Sequence, residues 1–480
     1  IRLSLVGSEM CIRDRGFAAA ADVTLVQIQF PGSADGTAVE RPTMFSNDRE
    51  FFFLSVVVLA VCALGVFFLQ RGRWGSSWKA VGFSERGTAA AGQSVQSAKL
   101  TAFAVSAALG GIAGGLLAGQ VQLPFASSFT PLQSLALYVL AVMSGAHLID
   151  MAILGGILWV LVPELLKRWG VPQDWAFVVF GVLGVQAITS GTNLGQGIRT
   201  LLWKRADRKT ASATLTALPP DAEAGDTVIT TTTTATVDER ALDGAPVLTV
   251  EGLTVQFGAL KALDDVSFQV PAASIMGLIG PNGAGKSTFV DAISGFLPKH
   301  GGRVLLGDRD LAGLSPTRRA RLGLRRTFQQ DRVPPALTVG AYVRFVARRR
   351  LAASDIDEVL EFFGCPPARA RLSSIDVGTR RLVEVAANVI SRPRLLILDE
   401  PAAGLSHDEH LALAARLREL PARYGVALII IEHDLDLVRS VCPTLTVLDF
   451  GRVLASGPQA EVLANPEVVK AYMGETELLK

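Results

Sequence analysis

Gly280-Pro281-Asn282-Gly283-Ala284-Gly285-Lys286-Ser287-Thr288 decides how this chain is read, because it fits the phosphate-cradling pattern G-x-x-x-x-G-K-[ST] without a mismatch. The apolar run Ile275 to Ile279 before it reads as a buried strand, and Phe289, Ile293 and Phe296 after it mark one face of a helix. Glycines between strand and helix let consecutive N–H groups point at one place, and the helix start adds the positive end of its dipole. Such a place holds an anion. The pattern predicts that Lys286 holds the β- and γ-phosphates of a nucleotide and that Ser287 ligates Mg2+. A glycine-rich turn with a surface lysine is the bland alternative, and the flanking strand and helix argue against it.

Working outward, the 480-residue length allows about three domains. Hydrophobic residues make up 49% of the chain and charged residues 19%, and the mean hydropathy of +0.37 is high for a water-soluble protein of this size. Part of the chain is therefore expected in a bilayer, with membrane lipid as a partner. Lys and Arg number 46 against 44 Asp and Glu, a net charge of +2 without the basic excess of a nucleic-acid-binding surface. Cys11, Cys62, Cys365 and Cys442 are scattered, with neither metal-ligand spacing nor a disulfide framework.

Residues 1–15 (IRLSLVGSEMCIRDR) lack an initiating Met and any apolar core, and read as a non-native segment appended to a chain whose own start is missing. Gly16 to Phe30 reads as the tail of a membrane helix and Pro31 to Glu50 as a polar loop. Phe51 to Leu69 is 19 residues without a charge, long enough to span the hydrocarbon. Arg71, Arg73, Lys79, Arg86 and Lys99 follow it and mark the cytoplasmic side. Leu100 to Gln120 is the second full span, with glycines at 110, 111, 114, 115 and 119 for close helix contact. Leu132 to Leu166 is an apolar tract interrupted by Ser144, Gly145, His147 and Asp150. An even number of crossings is needed to return the later nucleotide site to the cytoplasm, so the tract is read as two segments with His147 and Asp150 in a polar turn. Trp175 to Thr189 closes the set, about five spans in all. From Lys204 to Pro246 the composition turns to Ala, Asp, Pro and Thr, which cannot bury a core and predicts a flexible linker. From Val247 onward short apolar runs alternate with helical patterns, as in a soluble α/β domain.

Two further constellations lie in that last domain. Leu395 to Leu398 is an apolar strand ending in Asp399-Glu400 and followed by Pro401-Ala402-Ala403-Gly404-Leu405. This is the Walker B arrangement of a P-loop ATPase, in which Asp399 serves the Mg2+ shell and Glu400 polarises the attacking water. Leu428 to Ile431 leads into Glu432-His433-Asp434, which places His433 where it can reach the γ-phosphate.

Together these residues resemble the nucleotide-binding domain of ABC transporters, over about Val247 to Glu475. The resemblance implies that Gln329, in Arg326-Thr327-Phe328-Gln329, is the Q-loop residue that senses Mg2+ and abuts the membrane subunits. It implies that Phe257 stacks on adenine and that Ser406 to Asp408 stand in the place of the D-loop. The family's signature, usually Leu-Ser-Gly-Gly-Gln, is matched by Ile375-Asp376-Val377-Gly378-Thr379, where only the glycine is kept. In the family this element binds the γ-phosphate across a head-to-tail pair. Asp376, Gly378 and Thr379 are thus the residues facing a partner's site, where a carboxylate repels phosphate; the other reading of Asp376 is a helix N-cap.

Within the family the chain is most similar to the branched-chain amino-acid importers. The Arg326 to Gln329 run, Asp399 to Leu405, Ile431 to Asp434 and Asn465 to Tyr472 look like their ATPase, while Trp78 to Ala91 and Lys99 to Gly115 look like the coupling loop and following helix of their permease. The expected fold is an N-terminal α-helical transmembrane permease domain over 16–203, lacking its first helices, then a linker over 204–246 and an α/β P-loop ABC ATPase over 247–480. The resemblance implies ATP and Mg2+, a second permease subunit, a second ATPase subunit and an extracytoplasmic substrate-binding protein, in the inner membrane of a prokaryote. Urea or another small polar solute is an alternative cargo. An exporter half would need six long helices and an intact signature, and a soluble ABC ATPase would lack the spans.

Overall fold

The computed structural model describes residues 24, 27–28, 38–122, 136–141, 149–172, 175–190, 246–405 and 407–477. Four helices come first: α1 (Asp48–Arg71), α2 (Arg73–Phe83), α3 (Glu85–Ala90) and α4 (Val95–Val121). Helix α1 has 24 residues and α4 has 27, so both are long and apolar enough to cross a membrane. Side chains such as Phe52, Val57, Val61 and Phe68 stay exposed along α1, the reverse of a helix folded in water. Arg41 ties the approach to α1 down: its Nε donates to the Gly119 carbonyl at 2.9 Å, and its guanidinium lies over the Phe51 ring.

Helices α5 (Ile149–Arg168) and α6 (Trp175–Ser190) follow. Trp159 stacks on Phe180 with centroids 5.8 Å apart, and Leu140, Ala176 and Phe180 form a small core against Leu158 and Val162. Asp150, expected in a polar turn, belongs to the first turn of α5, because the apolar helix runs through it. His147 lies outside the described residues, as do the linker and most of Gly16 to Phe30.

The chain's contacts separate into two units: Ile1–Phe67 with Ala107–Thr231, and Phe68–Ser106 with Thr232–Lys480. The second unit therefore takes in α2, α3 and the start of α4. Its main body is two sheets. Strands β1 (Pro246–Phe257), β2 (Leu260–Pro271), β4 (Gly301–Leu306) and β5 (Arg309–Asp310) form an antiparallel sheet in the order β2-β1-β4-β5. The other sheet runs β10-β9-β3-β8-β7-β6, from β3 (Ile275–Ile279), β6 (Leu324–Arg326), β7 (Leu395–Asp399), β8 (Ala427–Ile431), β9 (Thr444–Asp449) and β10 (Arg452–Pro458). Its strands are parallel except for β10. Strands β3 and β8 are buried along their whole length, which is why they read as unbroken apolar runs.

One core lies between the two sheets, where Leu248, Leu263, Leu278, Phe289 and Ile429 meet around α7 (Lys286–Ile293). The other covers the opposite face, where Leu396, Leu428 and Ile430 meet α9 (Val339–Ala347), α10 (Ala353–Phe362), α11 (Val377–Val389) and α12 (His407–Tyr424). Helix α8 (Pro316–Arg321) lies beside α7, where Arg319 Nη1 donates to the Ala292 and Ile293 carbonyls. The parallel strands deliver β3, β7 and β8 with their C-terminal ends side by side. The site is built there.

Candidate functional site

The loop leaving β3 can only be made with glycine at its ends. Gly280 has φ +151°, and a Cβ there would lie 2.1 Å from the Leu448 carbonyl oxygen. Gly285 has φ +102° and forms the N-cap of α7; a Cβ there would lie 2.7 Å from the Ala262 carbonyl oxygen. Both positions forbid a side chain sterically and conformationally. Lys286 is buried, and its Nζ donates to the carbonyls of Gly280 and Pro281, the latter at 2.9 Å. Asn282 to Thr288 line one side of a cleft of about 520 Å³.

The other side is made by the strand ends. Asp399, Glu400, Gln329 and His433 all line the cleft, although they come from three separate segments. Gln329 Nε2 donates to Glu400 Oε1 at 2.9 Å, and His433 Nε2 stands 3.1 Å from the same oxygen. Burial pushes the Asp399 carboxyl up from its ordinary value, and the Arg326 guanidinium pulls against that shift. Arg326 itself is buried, pairs with Asp291 on α7 and lies 3.5 Å from Asp399, with its plane over Phe328. It locks α7 to the end of β7. Glu432 is buried one residue before His433; burial pushes its carboxyl up to about 7, and its Oε1 accepts from the Ala402 amide at 3.1 Å.

At the far end, Phe257 lines the cleft and is half exposed. Phe450 joins it at 88% exposure, held in a left-handed turn with φ +42°. Sequence reasoning missed Phe450, since a lone aromatic before a glycine in a hairpin carries no pattern. It also missed Arg326 as a clamp and Glu432 as a buried acid.

The residues matching the signature fall elsewhere. None of Asp376, Gly378 and Thr379 lines the cleft. Asp376 caps α11, accepting from the Thr379 amide at 2.8 Å and from its hydroxyl at 2.6 Å, and these bonds lower its pKa. Gly378 sits against the loop after β7, where a Cβ would lie 3.0 Å from the Gly404 carbonyl oxygen. Helix α12 begins at His407; Ser406 to Asp408, expected in the place of the D-loop, have no described side chains.

Three family models match this chain. One described as ABC transporter covers residues 263–403, one described as branched-chain amino acid transport system / permease component covers 17–187, and one described as branched-chain amino acid ATP-binding cassette transporter covers 452–477. The high-affinity branched-chain amino acid transport ATP-binding protein LivG of Salmonella typhimurium is 35% identical over 251 residues, which are 48% of this chain and 98% of LivG. The chain belongs to the branched-chain amino acid ABC transporter family. BraF of Pseudomonas aeruginosa, with the same description, is 34% identical over 48% of this chain and 98% of its own length. A solved ATP-binding cassette of an ABC transporter in its ADP conformation is 29% identical over 48% of this chain and 99% of its own, at a TM-score of 0.43.

As a member of this family the chain is an ATP hydrolase carrying a permease segment on the same polypeptide, associated with the membrane through its apolar helices. The two halves meet within the second unit. Ala80 of α2 and Ala91 after α3 are buried in the same core cluster as Val339, Tyr342 and Val343 of α9. The carbonyls at the end of α3 are read by the ATPase: Arg325 donates to Ala90, Arg321 to Gly92 and Thr317 to Gln93. Gln93 returns a bond to the Phe345 carbonyl at 2.7 Å. Gly87 approaches the Arg332 side chain so closely that a Cβ would lie 3.1 Å from it. Arg325 is buried without a carboxylate partner among the described residues. Burial, with Arg348 nearby, depresses it to about 10, and its charge is spent on the carbonyl ends of α3 and α9.

Proposed function

We propose that this chain is the fused permease and ATPase subunit of an importer that takes branched-chain or related hydrophobic amino acids across the prokaryotic inner membrane. The observation that carries the reading is the docking of residues 73–93, in the permease-matching part, onto the ATPase of the same chain, with Gly87 against Arg332. The permease part is assigned to 16–203, the linker to 204–246 and the ATPase to 247–480. Because 73–93 rests on the ATPase, the ends of α1 and α4 nearest it face the cytoplasm, where Arg71, Arg73, Lys79, Arg86 and Lys99 also belong. Four crossings after that point return the chain to the nucleotide. A second permease chain, a second ATPase and an extracytoplasmic binding protein complete the assembly.

The phosphates of ATP sit against the amides of Gly283 to Thr288, and Lys286 swings from the Gly280 and Pro281 carbonyls to the β- and γ-phosphates. The Ser287 hydroxyl, Gln329 amide oxygen and Asp399 carboxylate are hard oxygen donors that fit Mg2+, which supplies charge neutralisation at the phosphates when bound. No cluster of three His, Cys, Asp or Glu is found among the described residues; a site of one carboxylate completed by phosphate and water requires none. Glu400 takes the proton of the attacking water as the water oxygen bonds the γ-phosphorus and the bridging bond to the β-phosphate breaks, with ADP as the leaving group. His433, beside Glu400, holds the γ-phosphate, and Phe257 stacks on the adenine.

The test is uptake by the purified assembly in proteoliposomes. Labelled leucine accumulates when ATP and the binding protein are present, and Lys286→Ala abolishes both accumulation and hydrolysis while membrane insertion is unchanged. Hydrolysis surviving in Lys286→Ala overturns the site assignment. Accumulation of urea in place of leucine overturns the cargo.

A further inference from the structure

Arg381 lies on α11, two residues beyond Thr379, and its guanidinium reaches two segments of the cleft at once. Nη1 donates to the Glu400 carbonyl at 2.7 Å and Nη2 to the Gln329 carbonyl at 2.5 Å. The side chains of those two residues, 71 positions apart, are bonded to each other on the cleft side. One cation therefore fixes from behind the two backbones whose side chains meet in front. The Arg381 Nε is buried and makes no hydrogen bond, and no carboxylate pairs with this arginine among the described residues. A guanidinium kept partly buried without a counter-ion is costly unless its bonds are good.

Glu400 has a reason to need such a hold. Its φ is +48°, left-handed backbone that costs a non-glycine residue on the order of 1–3 kcal/mol and persists only where neighbours impose it. Its amide donates to the Ile431 carbonyl at 2.9 Å, and Arg381 holds the other end of the residue. The neighbouring Arg380 pairs with Asp331 at 3.0 Å, so α11 grips the segment after Gln329 twice. That segment continues into Arg332, against which Gly87 of α3 is packed. A continuous run of contacts leads from the docked permease segment through residues 329–332 and α11 to Glu400.

We propose that Arg381 is a positioning residue for hydrolysis, holding the Glu400 and Gln329 backbones to α11 so that the Glu400 carboxylate is aimed only when α11 is in place. The proposal rests on the reading of Glu400 as the base. It assigns to α11 a role in this chain's own cleft, separate from anything its N-terminus does in a partner's.

The test uses the full chain in its assembled, reconstituted form. Arg381→Met keeps the length of the side chain and removes its donors, and Arg381→Lys keeps one. Displacement of a base by about 1 Å costs about 10²-fold. Arg381→Met is therefore expected to lower kcat by about that factor, with the ATP KM, nucleotide affinity and thermal midpoint within the range of wild type. Arg381→Lys is expected to recover part of the rate. In a Glu400→Gln background Arg381→Met is expected to add less than about twofold, because the two act through one group. A wild-type kcat in Arg381→Met, with Glu400→Gln inactive, overturns the proposal alone. A wild-type rate in Glu400→Gln overturns the reading of the base and the proposal with it. If Arg381→Met does not fold, Arg381→Lys decides: lowered kcat at unchanged KM and midpoint supports the role, and unchanged kcat overturns it.

Discussion

The nucleotide cleft and the groove that receives residues 73–93 are built with opposite chemistry. In the cleft, the glycine-rich loop from Gly280 leads into the N-terminus of α7, and Lys286 donates to the Gly280 and Pro281 carbonyls. In the groove, Arg321, Arg325 and Thr317 present side-chain donors to the backbone acceptors of Ala90, Gly92 and Gln93. The cleft recognises a charge, whereas the groove recognises the end of a helix. A charge at a fixed point demands particular residues at particular spacings. A row of carbonyls is offered by any helix that ends, so the groove's partner carries little sequence information.

If that contrast holds, the largest effect belongs to the cleft. Glu400→Gln is expected to lower hydrolysis by roughly 10²–10⁴-fold, with the Gly87 to Arg332 approach intact. Crosslinking between cysteines placed at Gly87 and Arg332 measures both at once. Loss of that crosslink in Glu400→Gln would show that the two regions are not separable.

The next effect belongs to the groove. Arg325→Met keeps bulk but leaves the Ala90 and Val346 carbonyls without this donor, a loss of ~1–3 kcal/mol when buried acceptors go unpaired. Basal hydrolysis is expected to remain while uptake per ATP falls several-fold, since the cleft's own bonds do not pass through Arg325. Equal losses of hydrolysis and uptake would mean that the groove serves the cleft's integrity instead of coupling.

This contrast also explains how much of the molecule could be read beforehand. The loop at 280–288, the carboxylates at 399–400, His433 after β8 and the long apolar helices α1 and α4 were all legible, because local pattern alone produces them. Residues 73–93 were legible only as a resemblance, and the arginines that hold them were not, because their bonds go to backbone. Arg381 and Phe450 were hidden for related reasons: one bonds two carbonyls, the other depends on a turn of unusual φ. Asp150 was misplaced because polarity was taken as a helix break, whereas one carboxylate near a helix start does not stop an apolar helix.

A smaller effect distinguishes burial from chemistry behind the cleft. Burial, reinforced by Asp331 and opposed by Arg381, Arg326 and Arg332, pushes Glu384 on α11 up to about 8. The folded chain then holds a proton that the unfolded chain releases above about 4.5, so stability is highest below that value and falls as pH rises toward 8. Glu384→Gln removes the titration. Its thermal midpoint in nanodiscs is expected to fall by several °C less than that of wild type between pH 5 and pH 9. Parallel curves would remove Glu384 as the cause.

The smallest effect concerns the start of α11, which belongs to neither region. Asp376 accepts from the amide and the hydroxyl of Thr379, and those bonds hold its pKa below the ordinary carboxylate range. A lowered pKa means that the cap is fully present at neutral pH and weakens only when acid protonates it. Asp376→Ala is expected to cost about 1 kcal/mol, and Asp376→Ser or Asp376→Asn, which cap as well, only a few tenths. Arg381 lies five residues further along, beyond the turn that frays when a cap is lost. The kcat of Asp376→Ala is therefore expected to stay within about twofold of wild type, since cap effects fade past the first turn. Equal midpoints for Ala and Ser would deny the cap, and a large fall in kcat with an unchanged midpoint would place Asp376 in the chemistry of the cleft, whose lining does not include it.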